Sequence, residues 1–210
     1  PYEYLLDILG DDRQLDLAAL KLGNRGANPN DYPYDIGRLK NVLARAAKHS
    51  NWARHTDLPQ GQGLGIACCR SFLGYTGHVV EVSVTPAGSV SVDHVWCSID
   101  SGTIVSPDRV YAQVEGAALM GISQAMYGEM PMKNGKTVHS NFDGFQVARM
   151  SDAPQEINID IIKSDAAPGG VGETGIGSFA PALCNAIFAA TGKRVRDLPI
   201  KNHDLSWTNQ

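Results

Sequence analysis

Apolar residues recur at helical spacing through the first quarter of the chain: Tyr4, Leu5 and Ile8, then Leu15, Leu17 and Leu20, then Ile36, Leu39, Val42 and Leu43. Between the last two groups lies the stretch 23–33, with three Asn and two Pro, which predicts a loop. From residue 61 the period changes to two. The apolar run 64–72, the alternating 79–84 and the segment 90–99, which follows a Pro86-Ala87-Gly88-Ser89 turn, predict a hairpin preceded by a third strand. Ser106-Pro107-Asp108 then supplies a helix start, with a cap hydroxyl, a Pro at the first helical position and an acid in the first turn. The helix is expected over 107–127, with Val110, Val114, Ala117, Gly121 and Ala125 forming a face of small residues. Lys133-Asn134-Gly135-Lys136 carries the Asn-Gly signal of a tight hairpin. A strand over 157–162 leads into a glycine-rich segment, and a last helix is expected from an N-cap at Ser178 to a stop at Gly192. The pattern predicts an α+β fold of mixed sheets with packed helices. It divides into a helical linker or interaction segment over 1–58 and a domain over 59–210.

Composition narrows the function. With 43% apolar and 19% charged residues the 210-residue chain can bury a real core. The net charge of −4 and the lack of any Lys/Arg run argue against a nucleic-acid partner. Its most apolar helical stretches are interrupted by Gln113, Glu115 and Gln124 or end too soon to span a bilayer. The first residues, Pro1-Tyr2-Glu3, lack an initiator Met and a leader pattern, which predicts a cut or processed N-terminus; compartment stays open between cytoplasm and a periplasmic or membrane-associated location. Four cysteines, Cys68, Cys69, Cys97 and Cys184, show no zinc-ribbon or iron–sulfur spacing, and the adjacent pair should face opposite sides of a strand. They read as buried thiols, and no metal-ligand set is found.

The segment Gly169-Gly170-Val171-Gly172-Glu173-Thr174-Gly175-Ile176-Gly177 concentrates the chemistry. It contains G-x-G-x-x-G between strand and helix, with Asp197 downstream, as in a dinucleotide fingerprint. Against an NAD site stand its place near the end of the sequence, a helix that opens only after Ser178, and a Glu where pyrophosphate would approach. A mobile surface loop with a solvated Glu173 is the plainer alternative. A third reading is that glycines on both sides let a large ligand approach the backbone and leave the Glu173 carboxylate free to act as a general base.

A resemblance bears on that choice. The Gly169–Glu173 residues, Ala180-Pro181-Ala182-Leu183-Cys184-Asn185-Ala186-Ile187-Phe188-Ala189-Ala190-Thr191-Gly192-Lys193-Arg194 and Leu198-Pro199-Ile200 resemble the end of molybdenum subunits of the xanthine dehydrogenase and aldehyde oxidase family. Within it, they are most similar to isoquinoline 1-oxidoreductase beta subunits and membrane-associated aldehyde dehydrogenases. Gly63-Leu64-Gly65-Ile66-Ala67, Val80-Glu81-Val82-Ser83-Val84, Asp100-Ser101-Gly102, Ser106-Pro107-Asp108, Ala112-Gln113-Val114-Glu115-Gly116 and Ser140-Asn141-Phe142-Asp143 follow in family order, and Pro1-Tyr2-Glu3-Tyr4 precedes them. The resemblance covers nearly the whole chain.

The resemblance implies a molybdenum–pyranopterin cofactor, of the molybdopterin cytosine dinucleotide kind, and oxidation of an aldehyde or hydroxylation of an N-heteroaromatic carbon with water-derived oxygen. It makes Glu173 the base, Gly170, Val171 and Gly172 the backbone around the cofactor, Gln113 a pterin contact and Phe72 a residue of the substrate channel. It implies partners too: the remainder of the molybdenum subunit, a small [2Fe-2S] subunit and a cytochrome c electron acceptor, with no iron–sulfur cluster in this chain. A domain that kept the fold but serves only interaction is the competing reading. Three positions depart from the family pattern: Ser101 stands where Cys is common, Met120 where many relatives have Gln, and Thr174 where Pro or Ala is frequent.

Overall fold

The computed structural model describes residues 1–208. Its elements are α1 (Tyr2–Leu9), a small antiparallel pair β1 (Gln14–Leu15) and β2 (Tyr34–Asp35), α2 (Ile36–His49), β3 (Gln62–Ser71), β4 (Gly74–Val84), β5 (Val90–Asp100), α3 (Pro107–Met126), a hairpin of β6 (Met132–Lys133) and β7 (Lys136–Thr137), β8 (Glu156–Ile161) and α4 (Phe179–Thr191). The main sheet runs β3-β4-β5-β8, with the first two pairings antiparallel and the last parallel. Mixed sheet and packed helices make the fold α+β.

Strand alternation explains the layering. On one face Ala67, Val80, Val82, Val84, Val92 and Val95 meet Ala118, Ile122 and Ala125 of α3 and Phe179, Leu183 and Ile187 of α4. On the other face Leu64, Ile66 and Val79 meet Leu43, Ala46 and Ala47 of α2. Each large apolar side chain so buried stabilises the fold by about 1.5–3 kcal/mol. Cys68 turns toward α2 and Cys69 toward the opposite face, as adjacent strand residues must. All four cysteines are free, and burial raises the thiol of Cys68 to about 11.

α2 begins where the Asp35 side chain accepts the Arg38 amide, and it ends with Lys48 and His49 against the helix dipole. Its Arg38 forms a two-pronged ion pair with Asp100 at the end of β5, at 2.6 and 2.8 Å. Glycines decide how close the helices come. A Cβ at Gly65 would lie 2.0 Å from the Ala182 carbonyl oxygen and 2.2 Å from the Ala186 nitrogen, so only a bare backbone lets α4 settle on β3.

Several local expectations needed revision. Residues 15–20 are not helical: Leu15 belongs to β1, and a turn follows in which the Asp16 carboxylate accepts the Ala19 amide at 3.0 Å, a local bond that competes with a helix. β4 begins at Gly74 instead of near 79, because β3 and β4 are joined by a two-residue turn at Phe72-Leu73, with Ser71 paired to Gly74. Both turn residues are left-handed, with φ of 50° and 69°, the geometry of a hairpin turn that normally calls for Asn or Gly. Asn134 and Gly135, at φ of 51° and 75°, show the usual chemistry in the β6–β7 turn.

The glycine contacts give a paired prediction. Gly65→Ala, which would push α4 off the sheet, should cost about 1–3 kcal/mol in chemical denaturation. Gly116→Ala, on α3 with nothing within 4 Å of the added Cβ, should instead raise stability by about 0.4–1 kcal/mol.

Candidate functional site

The carboxyl ends of β3, β5 and β8 lie at one end of the sheet, and the glycine-rich segment crosses there. It is tied down by its backbone. The Gly169 amide donates to the Ser101 carbonyl and the Gly170 amide to the Phe72 carbonyl, both at 2.8 Å. Neither position has room for a side chain. A Cβ on Gly169 would stand 3.0 Å from the Leu73 carbonyl carbon, and one on Gly170 would stand 2.9 Å from the Phe72 Cβ. Val171 turns inward and packs with Cys97, Ile99, Val110 and Val114.

Thr174 closes the turn from the other side. It is fully buried, and its hydroxyl lies 2.6 Å from the Gly170 carbonyl and 3.3 Å from that of Ser71. The Ser101 hydroxyl reaches the same Gly170 oxygen at 3.3 Å. The Ser101 and Thr174 hydroxyls thus converge on one carbonyl. Met120 is exposed on α3 beside Leu119, in a shallow groove closed by residues 147–150.

Between these anchors Gly172 and Glu173 face outward and are exposed. The Glu173 carboxylate takes part in none of the ion pairs among the described residues. Exposed Gln113, on α3, brings its amide nitrogen to 3.9 Å from where a Gly172 Cβ would be. Gly170, Gly172, Glu173 and Gln113 therefore share one rim. Phe72 meets the segment at Gly170, and its ring is half-buried under the Arg25 guanidinium, 3.9 Å above its centre. A cleft of about 450 Å³ opens at the same end of the sheet, between Gly102–Tyr111 and Ile161–Asp165, and includes none of these residues.

Residues 39–154 match the molybdopterin cofactor-binding domain family. The chain belongs to that family. The matched stretch ends before the glycine turn, but likeness to individual members of wider families extends further. The chain is 35% identical over 162 residues to the isoquinoline 1-oxidoreductase subunit beta of Brevundimonas diminuta, covering 76% of this chain and 21% of that one. Against the membrane-bound aldehyde dehydrogenase [pyrroloquinoline-quinone] of Gluconacetobacter polyoxogenes it is 32% identical over 214 aligned positions, covering 97% of this chain and 27% of the other. Among solved structures, the aldehyde oxidoreductase of Desulfovibrio desulfuricans superposes with a TM-score of 0.54 at 27% identity, covering 61% of this chain and 15% of that one. The chain thus spans about a quarter of the length of these two curated relatives. Molybdopterin binding is the property that family is described by. No strand follows α4 among the described residues, so the second strand of a dinucleotide βαβ unit is lacking there.

Sequence reasoning missed what lies beneath the turn. Ser178 occupies the N-cap position of α4, but its hydroxyl caps nothing. It bonds instead to Thr76, at 2.9 Å, and to the His78 Nδ1, at 2.8 Å. Thr76 and His78, two apart on β4, are fully buried on the face otherwise occupied by Val80 and Val82. Polar residues at alternate positions inside an apolar strand were the available signal. Burial lowers the His78 imidazole to about 4, so it is neutral.

That shift has a sign that can be checked. Below about pH 6.5 the unfolded chain takes up a proton on this histidine while the folded chain does not until about pH 4, so stability falls with pH across that window. The loss from this group is about 3 kcal/mol. Urea denaturation from pH 7 to pH 4 should therefore show a steeper loss for the unmodified protein than for His78→Gln.

Proposed function

We propose that this chain forms part of the catalytic unit of a molybdenum hydroxylase, with Glu173 as its general base. The observation that carries this reading is a carboxylate held on a rigid turn and left unpaired: Gly169, Gly170 and Thr174 fix the backbone on either side, while the side chain has solvent before it. Buried Glu81 behaves otherwise: it is engaged by Arg54 at 2.7 and 2.9 Å.

The groups on the rim fit a pterin. Gln113 can both donate and accept, the polar edge a pterin ring requires. Gly172 leaves open space beside it, so a flat ligand can approach the backbone closely. When bound, a molybdenum–pterin group supplies the two-electron oxidation of a C–H carbon and activates the water that provides the oxygen. The task left to this chain would be to accept a proton at a Glu173 carboxylate oxygen. Phe72, as part of the channel, would offer its ring edge to a planar or apolar substrate. Relatives named for isoquinoline and for aldehydes support an N-heteroaromatic or aldehyde substrate. The cytosine dinucleotide form of the cofactor belongs to the same reading.

The relatives' designations as subunits, and the fraction of their length matched here, support a working unit completed by other polypeptide. In this reading the remainder of the molybdenum subunit supplies most cofactor contacts, an iron–sulfur [2Fe-2S] subunit removes electrons, and a cytochrome c accepts them.

In the assembled enzyme, Glu173→Gln keeps size and hydrogen bonding but cannot accept the proton. Turnover should fall about 10²–10⁴-fold at unchanged molybdenum and pterin content. A loaded variant that turns over normally removes Glu173 from the role and leaves an interaction domain as the better reading.

A further inference from the structure

From the residues beneath the turn we infer that Thr76 is a positioning residue for Glu173: a buried relay from His78 through Ser178 and Thr76 to the Thr174 carbonyl holds the turn in place. This rests on Glu173 being the base. The links are short and continuous: His78 Nδ1 to Ser178 Oγ at 2.8 Å, Ser178 Oγ to Thr76 Oγ1 at 2.9 Å, and Thr76 Oγ1 to the Thr174 oxygen at 3.0 Å. All four residues are fully buried, so water does not compete for these bonds.

Proton counting gives the chain a direction. The Thr174 carbonyl can only accept, so Thr76 spends its one proton there. The Thr76 oxygen then accepts from Ser178, whose proton is spent in turn. Ser178 must therefore accept from the His78 Nδ1–H. That tautomer leaves Nε2 with a lone pair and no hydrogen, and Nε2 is the ring atom without a partner. The reverse direction would leave a buried N–H donor unpaired, the costlier defect. Phe179 packs edge-on against the imidazole, 5.9 Å between ring centres, and fixes its plane. The Cys69 thiol, 3.4 Å from the Thr76 hydroxyl and 4.0 Å from the Thr174 oxygen, adds a weak contact to the same end.

The relay ends on the residue that follows Glu173. Thr174 is gripped below through its carbonyl and above through its hydroxyl, which restrains the backbone that carries Glu173. A base must be held to within about 0.5 Å of its working geometry, and a 1 Å misplacement costs on the order of 10²-fold in rate. β4 and the first turn of α4 thus supply the rigidity that glycines on either side of Glu173 cannot.

The test uses the assembled holoenzyme and the near-isosteric Thr76→Val. We expect kcat to fall about 10- to 100-fold with KM within about twofold and cofactor content unchanged. Amide hydrogen exchange in the peptide carrying residues 172–177 should quicken, while that of the later turns of α4 does not; Thr76→Ser should restore both. In the Glu173→Gln background Thr76→Val should cost no further rate. Wild-type exchange in the turn of Thr76→Val overturns the relay, whatever Glu173→Gln does. Losses that multiply in the double variant overturn positioning through Glu173. Normal turnover of Glu173→Gln sinks the base assignment instead and leaves exchange alone to judge the relay. Should Thr76→Val not assemble, Ser178→Ala removes the middle link and is read in the same way.

Discussion

Two backbone hydrogen bonds, from Gly169 to Ser101 and from Gly170 to Phe72, hold the candidate site against the sheet. Each joins a loop amide to a carbonyl at a strand end, and each is made possible by a missing side chain. The β3–β4 turn depends on them in return. Phe72 and Leu73 both sit in the left-handed region, where a bulky residue costs of order 1–3 kcal/mol. Such a turn persists only if its surroundings over-determine it. Here the Gly169-Gly170 backbone packs on the tip, and the Gly170 amide takes the Phe72 carbonyl. Hairpin tip and glycine turn therefore stabilise one another across about a hundred residues of sequence.

The sheet end that receives them is stiffened separately. Asp100 lies buried at the end of β5, where both its oxygens are taken by the Arg38 guanidinium and one also accepts the Gly102 amide. Removing one partner of such a pair strands a buried charge, so α2 is linked to the strand that carries Ser101. Arg38 also lies over the Tyr75 ring, 4.6 Å from its centre, and the Tyr75 hydroxyl accepts the Asp35 amide that precedes α2. A helix whose apolar stripe covers one face of the sheet is in this way coupled to the loop at its edge.

How much of this was legible follows from the range of the interactions. α3, α4, β8 and the Asn134-Gly135 turn are written in local signals: a Pro at a helix start, a Gly at a helix stop, alternation, a turn dipeptide. The Phe72-Leu73 turn is not, because its conformation is imposed by residues 169 and 170 and by nothing nearby in sequence. Residues 15–20 have helical spacing, but a side chain to backbone bond at Asp16 and a strand pairing with Tyr34 prevail over so short a run. Ser178 sits at a helix start, yet its hydroxyl is worth more to two buried groups on β4 than to an amide of its own helix. The site residues divide on the same principle. Glu173 and its glycines stand out in sequence because their chemistry is local, whereas Thr76 and His78 gain meaning only once α4 is laid on the strand.

The same logic bears on two hydroxyls that meet over the glycine turn. Ser101 and Thr174 are 73 residues apart by number, and their hydroxyls meet at the Gly170 carbonyl. A Pro or Ala after the glutamate would rigidify the turn or leave it bare, but could not bond to that oxygen; a Cys at 101 would offer only a weak donor. With two hydroxyls the carbonyl has both its lone pairs met by the protein. Threonine also brings backbone freedom that proline lacks, and the bond at 2.6 Å offsets it by fixing Thr174 to the start of its own turn. The Ser101 and Thr174 hydroxyls are thus best understood together, as one polar lock, and they act on the turn's backbone without touching the Glu173 carboxylate.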